Sequence, residues 1–219
     1  MTSIAKARMF IVYYSMHHHV HHLALAIRAG ADRVPGVETS LFRVAETLPD
    51  NVLARIQRPP PLEDEVPVIG PKELAEADGL MFGMPARFGM MPTQMRALLD
   101  GTGSLWARNA LRNKLAGTFF STHRQHGGQE TTALTAVTFM AHHGMLYMPL
   151  GFQHPALSEP DEVVGGGPYG SGTVAGAHGT RPSSKELDIA QFQGEEFAKM
   201  LVIMKRGHDI LKHMQHKYP

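Results

Sequence analysis

Cysteine is absent from the 219-residue chain. Its absence excludes disulfides, thiolate metal sites and a cysteine nucleophile, and it fits a reducing compartment. An excess of one charge sign is lacking too: 21 Lys and Arg stand against 20 Asp and Glu, a formal net charge of +1. That balance calls for no nucleic-acid or acidic-membrane partner. No apolar run approaches the ~18 residues of a membrane span. The opening Met1-Thr2-Ser3-Ile4-Ala5-Lys6-Ala7-Arg8 lacks the long apolar core of a secretory signal. A cytoplasmic protein without a membrane span is the expectation. Internal repeats are missing as well.

Hydrophobic residues make up 43% of the chain, too much for a disordered segment. The length suits one domain over 1–219, with a core from about residue 8 to residue 211. Histidine and methionine are in excess, with 14 of each. Five of the histidines fall in His17-His18-His19-Val20-His21-His22, inside a globular pattern and unlike a tag. Pairs such as His17 with His21, or His18 with His22, stand one helical turn apart if helical, a spacing that suits a metal. No Glu lies within the cluster to act as a hydrolytic base, and no physiological metal is expected.

Hydrophobic periodicity alternates between two regimes. Met9-Phe10-Ile11-Val12-Tyr13-Tyr14 is a short apolar run with the character of a strand buried on both faces. Val20, Leu23, Ala24 and Ile27 then follow helical spacing. Val37 to Val44 is a second strand, Gly79 to Gly83 a third, Leu115 to Ser121 a fourth and Met145 to Leu150 a fifth. Helices are expected over 72–77, 93–99, 129–143 and 187 to about 211. Two long loops are expected at 50–71 and 152–184, the first holding Arg58-Pro59-Pro60-Pro61, which cannot be helix interior. The second is Gly-rich, and its length suggests function. Alternating strands and helices define an α/β fold, a doubly wound five-stranded parallel sheet with helices on both faces. Ligands bind such sheets at the carboxyl edge. The loops Ser15–Val20, Met84–Met91, Ser121–Gln129 and Phe152–Arg181 lie there.

The first of these loops opens a helix, whose unpaired N–H groups and dipole favour an anion; Ser15 adds a hydroxyl. Neither a Gly-x-Gly-x-x-Gly nor a P-loop motif is present. In Gly83-x-Pro85-x-Arg87-Phe88-Gly89 a cation and an aromatic ring end a strand, a pairing suited to phosphate or carboxylate beside a planar ring. Trp106, the single tryptophan, has a core reading. His142 and His143 close a helix, where the dipole stabilises a cation, and one of them faces the ligand edge.

Together these stretches resemble the flavodoxin-like NAD(P)H:quinone oxidoreductases of the WrbA type. The resemblance rests on Val12-Tyr13-Tyr14-Ser15-Met16, Phe82-Gly83-x-Pro85-x-Arg87-Phe88-Gly89, Gln94-Met95-Arg96-x-Leu98-Leu99-Asp100 and Gly103-x-Leu105-Trp106. It continues through Gly127-Gly128-Gln129-Glu130, His142-His143-Gly144-Met145 and Gly166-x-Pro168-Tyr169-Gly170. It implies a flavodoxin fold, an FMN cofactor, NADH or NADPH as electron donor, a quinone substrate and a homotetramer with sites at subunit interfaces. By that resemblance Ser15, Met16, His17, His18, His19 and Val20 form the phosphate loop. Ala86, Arg87, Phe88, His142 and the stretch Thr122, His123, Arg124, Gln125, His126 and Gly127 surround the flavin ring. Trp106 helps wall the quinone pocket, and with His142 it is the catalytic candidate. His17 stands where the family has a tyrosine near the nicotinamide site.

The chain departs from the family pattern at the flavin loops. His18 replaces a glycine; a Cβ there costs about 1 kcal/mol or more if φ is positive. Thr122-His123-Arg124-Gln125-His126-Gly127-Gly128 replaces a thin Gly-rich wall, and Met84 and Ala86 replace threonines. These departures lead to the expectation that FMN binding is weak or absent. The alternatives are a flavodoxin-fold paralogue acting as a binding or scaffold protein, and a His-rich metal-binding variant.

Overall fold

The computed structural model describes residues 6–56, 59, 66–176 and 179–217. The expected start-segment character and most of the Arg58-to-Pro61 run lie outside them. The elements in chain order are β1 (Ala7–Tyr13), α1 (His19–Ala31), β2 (Val37–Arg43), α2 (Asp50–Leu53), β3 (Gly79–Pro85), α3 (Thr93–Asp100) and α4 (Gly103–Ala107). They continue as β4 (Leu115–Thr122), α5 (Gln129–His142), β5 (Leu146–Tyr147), β6 (Gly166–Gly167), β7 (Gly170–Val174) and α6 (Ser184–Lys217). Short 3-10 turns cover Lys72–Glu76 and Pro155–Leu157.

The sheet order is β2-β1-β3-β4-β7-β6, with β5 also paired to β4. All pairings are parallel except β6 with β7. Every residue of β3 and β4 is buried, as continuous apolar strands in a parallel sheet require. Side chains alternate between two cores. Phe10, Val12, Phe82 and Phe120 meet α3 and α5, while Met9, Ile11, Tyr13 and Phe119 meet α1 and α6. Helices therefore cover both faces, as the sequence predicts.

The fifth sheet position departs from a simple strand. The expected strand over 145–150 shrinks to Leu146–Tyr147, which pairs with the start of β4. The chain then leaves the sheet and returns as β7 beside the end of β4, with Phe120 opposite Gly172. The segment expected as a Gly-rich loop thus supplies strands β6 and β7. Three buried or partly buried side chains tie β7 in place. Gln193 accepts from the Ser171 N–H and donates to the Thr118 carbonyl. Gln129 donates to the Thr173 carbonyl and accepts from the Gly166 N–H. Glu186 accepts from the N–H groups of Gly165, Val174 and Ser183 and from the Thr173 hydroxyl. Ser183 Oγ returns a bond by accepting from the Glu186 N–H, which makes Ser183-x-x-Glu186 a capping box. It starts α6 at Ser184, three residues before the expected Leu187.

Helices α1 and α6 cross in backbone contact. A Cβ added at Gly194 would lie 2.0 Å from the Ile27 carbonyl oxygen, and one at Gly30 would lie 1.8 Å from that of Gln191. The crossing presses α1 onto the sheet and fixes where its N-terminus meets the carboxyl edge. Gly194→Ala should therefore force the helices apart. The overpacking costs about 3 kcal/mol or more, and a helix-propensity gain of about 1 kcal/mol offsets part of it. A fall in Tm of roughly 4–8 °C is expected by circular dichroism; an unchanged Tm would mean that the crossing relaxes freely.

Candidate functional site

The ends of β1, β3, β4 and β7 stand side by side, and a cavity of about 630 Å³ opens beyond them. Its lining comes from all four loops of the carboxyl edge: Ser15 to Val20, Pro85 to Arg87, Ser121 to His123, and Ala175, Gly179 and Arg181. This volume is in the range of pockets for drug-sized ligands and cofactors.

The first loop turns through His18, which caps α1 at φ 65 with no side-chain cap bond. A non-glycine residue in this left-handed region costs about 1–2 kcal/mol. The turn is held from below: Ser15 Oγ accepts from the His21 N–H at 3.3 Å, and the Tyr13 hydroxyl and His21 Nδ1 are 2.7 Å apart in the core. His21 is thus a core histidine. Since α1 begins at His19, His17 and His18 precede the helix and the expected i, i+4 imidazole pairs do not form. Among the described residues, no group of three or more His, Asp or Glu converges to hold a metal. His19 is buried, and its Nε2 lies 2.8 Å from the Thr180 carbonyl. A carbonyl only accepts, so this nitrogen carries the proton.

The second and third loops meet each other. Arg87 and Met90 exchange backbone bonds of 2.8 and 2.9 Å, and Phe88 at the turn's tip is 99% exposed with φ 52. A Cβ on Gly128 would come within 2.7 Å of the Gly89 Cα, so only glycine lets the loops close. The Thr122–Gly127 stretch forms a wall between two cavities. Thr122 and His123 line the first. Thr122 also lines a second cavity of about 480 Å³, together with Arg124, Gln125, His126 and Gly127.

Arginine and imidazole side chains dominate the first cavity. His17, His18, His19, His22, His123, Arg87 and Arg181 line it, and no Asp or Glu is among the described lining residues. Burial lowers the pKa of His17, and His19 and Arg87 add to the effect. Burial also lowers that of His18, followed by repulsion from His17, His19 and Arg181. For His22 burial again comes first, then Arg181, His18 and His19. Partial desolvation and mutual repulsion thus keep these imidazoles poor in protons, ready to gain them when an anion enters.

Trp106 and His142 line neither cavity. The Trp106 side chain is 59% exposed, so its core reading is overturned: the short helix α4 turns it outward. Its indole N–H donates to the His142 carbonyl at 3.0 Å, which makes one exposed platform of the two. The neighbouring His143 is buried on Phe139, with ring centroids 4.5 Å apart. Thr102 Oγ1 spends its proton on the Leu99 carbonyl, so it accepts from His143 Nε2 at 3.0 Å. Burial, with a smaller repulsion from His142, lowers the His143 pKa. Arg181 also lines the first cavity, though no motif singled it out, and so does His22, which the sequence offered only as half of an imidazole pair for a metal. The signal for Arg181 was its position at the end of the Phe152–Arg181 loop.

Comparison with known proteins agrees with this geometry. The family model for NADPH-dependent FMN reductase matches residues 15–154. The chain belongs to that family. It is 52% identical over 189 residues to the quinone-oxidoreductase QR2 of Triphysaria versicolor, covering 85% of this chain and 91% of the relative. It is 44% identical over 204 residues to the NAD(P)H quinone oxidoreductase PST2 of Candida albicans, covering 93% and 100%. The flavodoxin, WrbA-like protein from Agrobacterium tumefaciens shares the fold, with a TM-score of 0.59 at 19% identity over 90% of this chain and 98% of that one.

The expectation of weak or lost flavin binding gains no support from these comparisons. The structure shows why the departures do not close the cavity. His18 takes up the positive φ itself, and Arg124, Gln125 and His126 face the second cavity. The strain at His18 is measurable. His18→Gly should relieve about 1–2 kcal/mol of backbone strain against about 0.5–1 kcal/mol of added unfolded-state entropy. Urea unfolding should show a net gain of up to about 1.5 kcal/mol; a loss of stability would mean that the imidazole's contacts outweigh the strain.

Proposed function

We propose that the protein is an FMN-dependent NAD(P)H:quinone oxidoreductase that carries out two-electron quinone reduction, in the cytoplasm, as a homo-oligomer of the tetrameric kind. The observation that carries this reading is the carboxyl-edge cavity, lined by seven cationic or imidazole side chains and capped by a helix N-terminus. The family and the relatives' names supply the chemistry that such a cavity would serve.

The residues present fit FMN. Ser15, Met16, His17, His18, His19 and Val20 would hold its phosphate. The N–H groups of His19 and Val20 open α1 and have no partner among the described residues, so they suit an anion. Ala86, Arg87, Thr122 and His123 would flank the ring, with Phe88 and the wall through Arg124, Gln125, His126 and Gly127 outside them. Bound there, FMN would supply the hydride-accepting and two-electron-donating chemistry that links NADH or NADPH to a quinone. His123 lines the first cavity and Arg124 the second. That arrangement supports His123 and Arg87 as the donors that stabilise negative charge arising in the cavity. His142 and Trp106 would wall the quinone side, and a neighbouring copy would complete it. The exposure of Phe88, Met90 and Trp106, large apolar side chains on the loops of the ligand edge and on α4, supports an interface on this part of the surface. Light scattering that shows only a 24 kDa species would count against the oligomer.

The direct experiment adds FMN to flavin-free protein and follows NAD(P)H oxidation with a quinone acceptor. FMN- and quinone-dependent turnover with ping-pong kinetics is expected. A protein that stays colourless and inactive with FMN would instead support the scaffold reading.

A pH dependence follows from the imidazoles. His17, His18 and His22 have pKa values below the usual 6.5 in the free protein, and an entering phosphate dianion raises them. Binding should therefore take up protons and tighten as pH falls from 7.5 toward 6, where the phosphate itself begins to gain a proton. Isothermal titration at pH 6.5 in buffers of different ionisation enthalpy measures the uptake. A binding enthalpy independent of buffer would remove the histidines from the phosphate site.

A further inference from the structure

Beside the phosphate loop, the cavity has a second wall that carries Arg181. It comes from the segment that follows β7. Ala175 N–H donates to the Thr122 carbonyl at 2.8 Å, and Gly176 N–H donates to that of His123 at 3.0 Å. These bonds extend the β4–β7 ladder past the strand ends. Thr180 folds the segment back, its N–H and hydroxyl both donating to the Ala175 carbonyl, at 2.8 and 2.9 Å. The His19 side chain crosses from α1 and donates Nε2–H to the Thr180 carbonyl at 2.8 Å. Arg181 comes next. It precedes Pro182, which keeps it out of the helical region and in an extended conformation.

Arg181 lines the same cavity as Ser15 to Val20. It has no acidic partner among the described residues. Its charge is felt by His18, on the turn of the phosphate loop, and by His22, in the first turn of α1. An unpaired guanidinium placed against imidazoles costs electrostatic energy. An anion bound between them would turn that repulsion into attraction.

We propose that Arg181 is a phosphate-binding residue of the flavin cofactor, supplied by the segment after β7, and that His19 is the positioning residue that holds it against the phosphate loop. This deepens the proposed function and rests on its FMN reading. The guanidinium supplies two parallel donors where the loop supplies backbone N–H groups, so the phosphate is gripped from two elements distant in sequence. His19 works through the Thr180 carbonyl: without that bond, the chain carrying Arg181 is tied to α1 by no hydrogen bond that the structure describes.

The test compares FMN with riboflavin, which has the same ring and no phosphate. Flavin-free protein is titrated with each, following quenching of flavin fluorescence. Arg181→Ala should weaken FMN about tenfold or more, as for a lost bond to a charged group, and leave riboflavin affinity unchanged. Arg181→Lys keeps the charge without the fork and should fall between. His19→Leu should reproduce much of the loss, His19→Gln should restore part of it by donating to Thr180, and the double variant His19→Leu with Arg181→Ala should be no weaker than Arg181→Ala alone. Equal weakening of FMN and riboflavin, or unchanged FMN affinity in Arg181→Ala, would overturn the proposal and leave the FMN reading standing. Wild-type protein that binds neither flavin would overturn that reading, and the proposal with it.

Discussion

A buried carboxylate anchors the part of the molecule on which the site depends. Glu186 is 4% exposed and accepts four bonds, from Gly165, Thr173, Val174 and Ser183. One side chain thus fixes the start of α6, the last residues of β7 and the Gly-rich chain before β6. The ladder between β4 and β7 pairs three residues, Phe120 to Thr122, and two further backbone bonds extend it, too little to hold a strand alone. Removing an acceptor from buried donors costs about 1–3 kcal/mol per group, so this carboxylate outweighs any single ladder bond. The segment carrying Arg181 begins where its grip ends.

The cavity is built from parts that disfavour one another until a ligand arrives. His18 sits in a strained backbone region, and the imidazoles of the loop repel one another and the two arginines. The scaffold beneath absorbs these costs: the α1–α6 crossing at Gly30 and Gly194, the Tyr13–His21 contact and the Glu186 anchor do not depend on a ligand. A rigid base under a locally frustrated rim is an arrangement suited to binding an anion, because the rim gains most when charge enters.

Much of this was legible in the sequence, and the failures have physical causes. Strands β1, β3 and β4 showed themselves because they are buried on both faces and read as nearly unbroken apolar runs, while the half-exposed β2 showed itself only through a loose alternation. The fifth position did not, because β7 is Gly-Ser-Gly-Thr-Val and is held by Glu186, Gln193 and Gln129 instead of by its own apolar side chains. Hydrophobic periodicity cannot register such a strand. The capping box Ser183-x-x-Glu186 was present in the sequence, but the apolar spacing from Leu187 set the helix start too late. The four loops of the ligand edge followed from topology alone. Their residues sorted less well: Ser15 to Val20, Ala86, Arg87, Thr122 and His123 meet in one cavity, while Arg124 to Gly127 face another. Trp106 looked like core because tryptophan usually is; the indole N–H bond to the His142 carbonyl turns it to the surface.

Glu186 thus holds the second wall of the cavity in place. Native-state hydrogen exchange on Glu186→Gln, with FMN affinity measured on the same protein, tests it most directly. The amides of Gly165, Val174 and Ser183 should exchange about tenfold to a hundredfold faster, matching the loss of a bond to a charged group, while β1 and β3 keep their protection and FMN binds more weakly. Unchanged protection at those three amides, or a uniform loss across the whole sheet, would contradict the account.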